Sequence, residues 1–179
     1  FPVKFKGKER KVYLTGEAYF KVAKNTEHPF VVTAGELEVL VTGTTFGVRA
    51  YKDEKDIQTT LESGQVTVRV EGKSVKLVPN KQVLFNKSTM GLEVRDVDVD
   101  LYLAWADGRL VYDNCPLEKI LTDLGRWYNI DVFYSRDELR SYQFSLNMKK
   151  HEEFTQVLEL IGKTGEVQFE IKDNTVIVK

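Results

Sequence analysis

Chemistry-bearing residues are scarce in this chain of 179 residues, which holds one cysteine (Cys115) and two histidines (His28, His151). A single thiol excludes an intrachain disulfide and leaves the redox compartment unmarked. Cys115 and the histidines lack metal-ligand spacing, and neither a CxxC nor an HExxH cluster occurs, so no metal is expected. His28 sits beside Pro29 in a turn and His151 near the expected start of a helix, positions that suit solvated or capping residues better than a base. There is no GxSxG elbow, phosphate loop or dinucleotide fingerprint. The segment Gly43-Thr44-Thr45-Phe46-Gly47 lacks the required lysine and lies between strands. The sequence is therefore read as belonging to no enzyme and needing no cofactor. Charge of one sign is missing too. The net charge is −1, with 16 basic and 14 acidic residues through Asp100, then 10 and 13. That balance excludes the basic face of a nucleic-acid binder or a polybasic membrane patch. No apolar run approaches the roughly 18 residues needed to span a bilayer. The chain opens at Phe1 with neither a methionine nor a signal peptide, and is expected to be a piece of a longer protein whose flanks hold the targeting information.

What is present is an ordinary globular balance, 42% hydrophobic and 30% charged. Residues 15–51 contain four short apolar runs, each closed by glycine, proline or a charged tip, which is the signature of strands. Ala18, Phe20 and Val22 share one face while Tyr19 and Lys21 share the other. Phe46, Val48 and Ala50 alternate in the same way with Gly47, Arg49 and Tyr51, so each strand offers one apolar face to a core. The basic stretch 4–11 (KFKGKERK) is interrupted by Glu9 and reads as a solvated edge. After a hairpin tip at 52–56, the phrase LESGQVTVRV (61–70) repeats the pattern of LTGEAYFKV (14–22). Weak duplication of this kind suits a two-sheet sandwich or a short β-solenoid. No helical period occurs through residue 97, so residues 1–97 are expected to form an all-β domain.

Residues 98–107 read as a linker with a short helix. From 108 to 179 strand and helix alternate as β-α-β-β-α-β-β, an α+β domain with two helices on one face of a small sheet. Leu117, Ile120, Leu121, Leu124 and Tyr128 follow the i, i+3, i+4, i+7 rule, behind Pro116 at the first turn. Phe154, Val157, Leu158 and Ile161 make a second stripe, with Gly165 placed as its C-terminal cap. Each stripe buries large side chains worth ~1.5–3 kcal/mol apiece. Trp127 falls on the first helix as a core residue. Cys115 precedes that helix, where a thiol pKa can fall, but reads as a capping or buried thiol. The final hairpin, around Lys172-Asp173-Asn174, ends in the strand Thr175, Val176, Ile177 and Val178. This strand is the candidate partner-binding edge, able to accept a partner's strand through its main chain.

Four ordered motifs carry a family resemblance: Gly16-Glu17-Ala18-Tyr19-Phe20-Lys21-Val22, Pro29-Phe30-Val31-Val32, Val41 through Val48 (VTGTTFGV), and Leu61-Glu62-Ser63-Gly64-Gln65-Val66. They resemble the FecR family, the periplasmic regulatory domains of membrane-bound anti-sigma factors. The second half, with Trp105-Ala106-Asp107-Gly108-Arg109-Leu110, Pro116-Leu117 and Arg126-Trp127-Tyr128-Asn129, is similar to the C-terminal domain of Bacteroidetes-type members, a module like the secretin and TonB N-terminal (STN) domain. Gly47 stands where the family favours asparagine and Asn80 where it favours glycine, so both suggest turn or positive-φ backbone. The resemblance implies a periplasmic signal relay on a single-pass inner-membrane protein. Its expected partners are the signalling domain of a TonB-dependent outer-membrane transporter and, through a cytoplasmic N-terminal segment, an extracytoplasmic-function sigma factor. A carbohydrate-binding module is the alternative, motivated by eight tyrosines and two tryptophans on a β-rich scaffold; an enzyme ranks last.

Overall fold

The computed structural model describes residues 5, 7–149 and 153–179, so His151 lies outside the described residues. The chain divides into two compact units, Phe1–Leu103 and Ala104–Lys179. In the first unit the described strands are β1 (Arg10–Tyr13), β2 (Gly16–Lys21), β3 (Phe30–Ala34), β4 (Leu37–Val41) and β5 (Thr45–Ala50). They continue as β6 (Asp56–Ser63), β7 (Val66–Val70), β8 (Lys73–Leu77), β9 (Lys81–Asn86) and β10 (Gly91–Asp96), followed by the one-turn helix α1 (Asp100–Leu103). One five-stranded sheet has the order β1-β3-β4-β7-β8 and the other β10-β9-β6-β5-β2. Strands β1 and β3 run parallel; the other pairs in these sheets are antiparallel.

Both sheets turn their apolar side chains into one core. Val32, Leu37, Val39, Val68 and Leu77 come from one sheet, and Phe46, Val48, Leu61, Val83 and Phe85 from the other. Of the two expected architectures, the sandwich is the one formed. Alternation dictates this packing, since every second side chain of a strand faces the same way. Phe20 links the layers, with its ring centroid 5.6 Å from Phe30 across the core and 5.2 Å from Phe46 beside it. The duplicated phrases do not occupy equivalent places: β2 is an edge strand of one sheet, while β7 lies inside the other. They share backbone chemistry instead, because Gly16 and Gly64 both adopt positive φ, 104° and 90°.

Strand β5 is buried on both faces, which its alternating sequence did not announce. On the face away from the core, the Arg49 guanidinium pairs with Glu17 at 3.2 Å and donates to Glu54 at 2.9 Å. Gly47 corrects the expectation of a positive-φ turn. It lies in mid-strand, paired with Tyr19 and Thr60. A Cβ there would collide with Leu103 Cδ2 of α1, so close approach explains the glycine. Asn80 does adopt the left-handed conformation, with φ of 65°.

The second unit opens with a 3-10 turn (Ala104–Asp107), then β11 (Arg109–Pro116), α2 (Leu117–Tyr128) and β12 (Asp131–Tyr134). A second 3-10 turn (Asp137–Ser141), β13 (Gln143–Lys149), α3 (Phe154–Gly162), β14 (Phe169–Lys172) and β15 (Thr175–Val178) follow. The order β-α-β-β-α-β-β is the expected one, but the strands form two sheets, β11-β13 and β12-β15-β14. One core joins them: Leu117, Ile120, Leu121 and Leu124 of α2 meet Val157, Leu158 and Ile161 of α3 and Val176 and Val178 of β15. Asn129 closes α2 in the left-handed conformation, with the Ile130 amide donating to the Gly125 carbonyl at 3.1 Å. Helix α3 ends earlier than expected. Lys163 is its cap, and Gly165, at φ 82°, belongs to the turn beyond.

Because Phe46 is fully buried between Phe20 and the facing sheet, Phe46→Ala is expected to lower the stability of the first unit by about 3–5 kcal/mol. Tyr13→Ala, at a residue 80% exposed, should change it by less than ~0.5 kcal/mol. Urea unfolding of the two variants measures both values.

Candidate partner-docking surface

The sheet β12-β15-β14 corrects the expected edge. Thr175–Val178 is its central strand, paired parallel with Asp131–Tyr134 on one side and antiparallel with Phe169–Lys172 on the other. With both sides occupied, its main chain cannot receive another strand. The pairing with β12 joins residues 44 positions apart, beyond the reach of hairpin logic. Among the described residues, β14 pairs with β15 alone, and its other side faces no strand.

The hydrogen-bond phase of β14 follows from its start. Gln168 and Lys179 exchange amide-to-carbonyl bonds of 2.9 Å in both directions. Antiparallel pairs alternate between bonded and non-bonded, so Glu170 and Lys172 point their main-chain groups at β15 while Phe169 and Ile171 point theirs outward. The side chains of Phe169 and Ile171 border a groove between β14 and α3, with a volume of about 550 Å³. Leu158, Gly162 and Val167 line it as well, with Glu159 and Gln168 as polar neighbours. Ile171 is 43% exposed at its mouth. Two free main-chain amides and an apolar groove thus share one edge, the combination that strand addition requires.

The opposite face of the sheet is polar on one side and apolar on the other. The register sets Phe133, Ile177 and Glu170 in a row across the three strands. Phe133 is 61% exposed, whereas the Glu170 carboxylate is held by Lys172 at 2.8 Å and by Lys179. Hydrogen bonds from Lys172 and then Lys179 pull its pKa down to about 2.

Other groups singled out in the sequence are structural. Cys115, one residue before the end of β11, is half-buried against the second core, and burial raises its thiol pKa, with Lys119 pulling the other way. Proximity to a helix start has not activated it. Trp127 packs against the same core. Asp123 of α2, not noticed in the sequence, is a buried carboxylate held by Lys119 and by the Tyr112 hydroxyl at 3.1 Å. Its i, i+4 spacing from Lys119 was the available signal. Tyr134 is pushed up to about 12 by burial, partly countered by the Arg140 guanidinium 4.1 Å above its ring. Among the described residues no three His, Cys, Asp or Glu side chains are grouped to hold a metal ion. The α3–β14 groove carries one aromatic ring, Phe169, and a smaller pocket of about 270 Å³ beside Leu84, Asn86 and Leu92 carries none. Neither presents the coplanar pair of rings that saccharide stacking needs.

A depressed carboxylate favours the folded state above its unfolded pKa near 4.5, and the contribution fades as pH falls toward 2. NMR titration of Glu170 at low salt is expected to give a midpoint near 2, and Lys179→Met should raise it; a midpoint near 4.5 in the unmutated chain would contradict the pairing.

Residues 1–67 match the family model described as FecR protein, and residues 109–178 match the one described as FecR, C-terminal. No curated protein matches the chain. Two crystal structures of a candidate anti-sigma factor from Parabacteroides distasonis have the same fold. Their TM-scores are 0.86 and 0.84, each at 23% identity, covering 100% and 99% of this chain and 84% and 83% of theirs. At this identity the likeness concerns architecture. The family models supply kinship in both halves, in the family's own order, and this chain belongs to the FecR family.

Proposed function

We propose that this chain is the periplasmic signal-relay portion of a single-pass inner-membrane anti-sigma factor or sigma regulator. It receives its signal from the signalling domain of a TonB-dependent outer-membrane transporter. A cytoplasmic segment preceding these residues then controls an extracytoplasmic-function sigma factor. Support comes from the two FecR matches and from the description of the Parabacteroides distasonis structures as a candidate anti-sigma factor. The observation that carries the reading to particular residues is the open edge of β14 above the α3 groove, within the FecR C-terminal match.

The proposed contact is an added strand. An extended segment of the signalling domain pairs with the outward amides and carbonyls of Phe169 and Ile171 and lays alternate apolar side chains against Leu158 and Val167. Four residues of strand make a small, reversible interface, on the order of 800 Å² per partner or less. Side-chain specificity is low at such an edge, which is consistent with the lack of a conspicuous motif along β14.

Calorimetric titration with the signalling domains of the TonB-dependent transporters encoded in the same genome tests the reading. Ile171→Pro removes an amide that faces away from β15, so the sheet should persist while affinity falls at least ~10-fold, about 1.4 kcal/mol. Equal affinity of the proline variant would move the contact away from β14. Failure of every encoded signalling domain to bind would overturn the relay assignment itself.

A further inference from the structure

The outward face of the second sheet of the sandwich should be wet, yet polar side chains are buried on it. Thr60 is 3% exposed and Gln82 0%. The register places Tyr19, Gly47, Thr60, Gln82 and Arg95 in one row across β2, β5, β6, β9 and β10. Gln82 Nε2 donates to Thr60 Oγ1 at 2.6 Å, and Arg95 Nε donates to Gln82 Oε1 at 2.9 Å. Arg95 Nη2 donates both to Gln82 Oε1 at 2.5 Å and to the Tyr102 hydroxyl at 3.0 Å, with the guanidinium 5.6 Å over the Tyr102 ring. Next to Tyr102, Leu103 drops into the hollow left by Gly47.

The segment from 98 to 103 therefore rests on a seat in which one apolar side chain is plugged into a largely polar row. Within the segment, Tyr102 and Leu103 donate to the Val99 carbonyl at 3.0 and 2.9 Å, Leu101 to the Asp98 carbonyl at 3.2 Å, and the Asp100 amide to Asp98 Oδ1 at 3.1 Å. A helix of one turn has no stability of its own in water, so its helical form depends on the seat. Water can replace the hydrogen bonds of Thr60, Gln82, Arg95 and Tyr102 if the segment lifts, whereas nothing replaces the apolar contacts between the sheets. The Val97 amide, bonded to the Asn80 carbonyl at 3.0 Å, marks where the sheet holds and the segment begins.

We infer that residues 98–103 are a releasable strap, seated on the sandwich in one state and lifted from the Gly47 hollow in the other while both sheets stay folded. This makes the last segment of the first unit a two-state element, with Leu103 as its catch and the Arg95–Tyr102 contact as its clasp. The inference stands on the first unit alone and does not depend on what docks at β14.

Residue-resolved hydrogen exchange on the whole chain reads the strap directly. The amides of Leu101, Tyr102 and Leu103 are expected to exchange at least ~100-fold faster than those of Val48, Leu61 and Val83, through an opening insensitive to low denaturant. Gly47→Ala should speed the strap amides a further ~10-fold or more and leave the core amides unchanged. In the Gly47→Ala/Leu103→Ala double variant the collision is gone, so the strap should exchange no faster than with Leu103→Ala alone. Strap amides that exchange at the core rate in the unmutated chain would overturn the inference. So would a Gly47→Ala effect that appears equally in the core amides, or fully additive effects in the double variant.

Discussion

A β-strand carries amides and carbonyls on both of its sides, and each must be met by another strand, a side chain or water. Applied to the second unit, that requirement separates a strand that is finished from one that is not. Thr175–Val178 is satisfied on both sides and is closed to partners, although it is the last strand in the sequence. Phe169–Lys172 is satisfied on one side only, and the residues whose main chains point outward are the two whose side chains border the α3 groove. Two edges of the first unit are blunted by charge, as exposed edges commonly are. Strand β10 carries Glu93, Arg95 and Asp96, and β8 carries Lys73 and Lys76. On β14 the charges lie on one face, where Glu170 is bound to Lys172 and Lys179, and the groove face is left apolar.

The first unit meets the same requirement with a complete sandwich, and the interest moves to its outer face. Strand β5 is covered on both sides, by the facing sheet within and by α1 and the Arg49 ion pairs without. The two coverings differ in kind. The inner one is apolar and cooperative; the outer one is largely hydrogen-bonded, with Leu103 plugged into it at Gly47. Polar coverings can exchange with water, and this difference gives the strap its freedom while the sandwich stays intact.

Local patterns were legible in the sequence wherever one residue and its near neighbours decide the outcome. The core-facing sides of β2 and β5, the alternation of Phe144 and Leu146, and the stripes of α2 and α3 all follow from periods of two and 3.6. Family kinship was legible too, because it resides in turn glycines and strand phrases that keep their order. Three features were not, for one physical reason: each depends on a contact between distant residues. The central position of β15 comes from pairing with β12, 44 residues away. Gly47 is required by Leu103, which lies 56 positions further on. The division into two sheets in the second unit depends on β11 meeting β13 rather than β12. Asparagine 174 shows the same rule in a side chain, its amide donating to the carbonyl of Asn129 at the end of α2.

The central claim is that β14 is the edge a partner strand extends. Amide exchange at Phe169 and Ile171 tests it most directly, compared between the free chain and its complex with a transporter signalling domain. Both amides point outward in the free chain and should exchange rapidly, then become strongly protected in the complex, while Glu170 and Lys172 change little. Protection appearing elsewhere on the second unit, with Phe169 and Ile171 still exchanging freely in a saturated complex, would contradict the account.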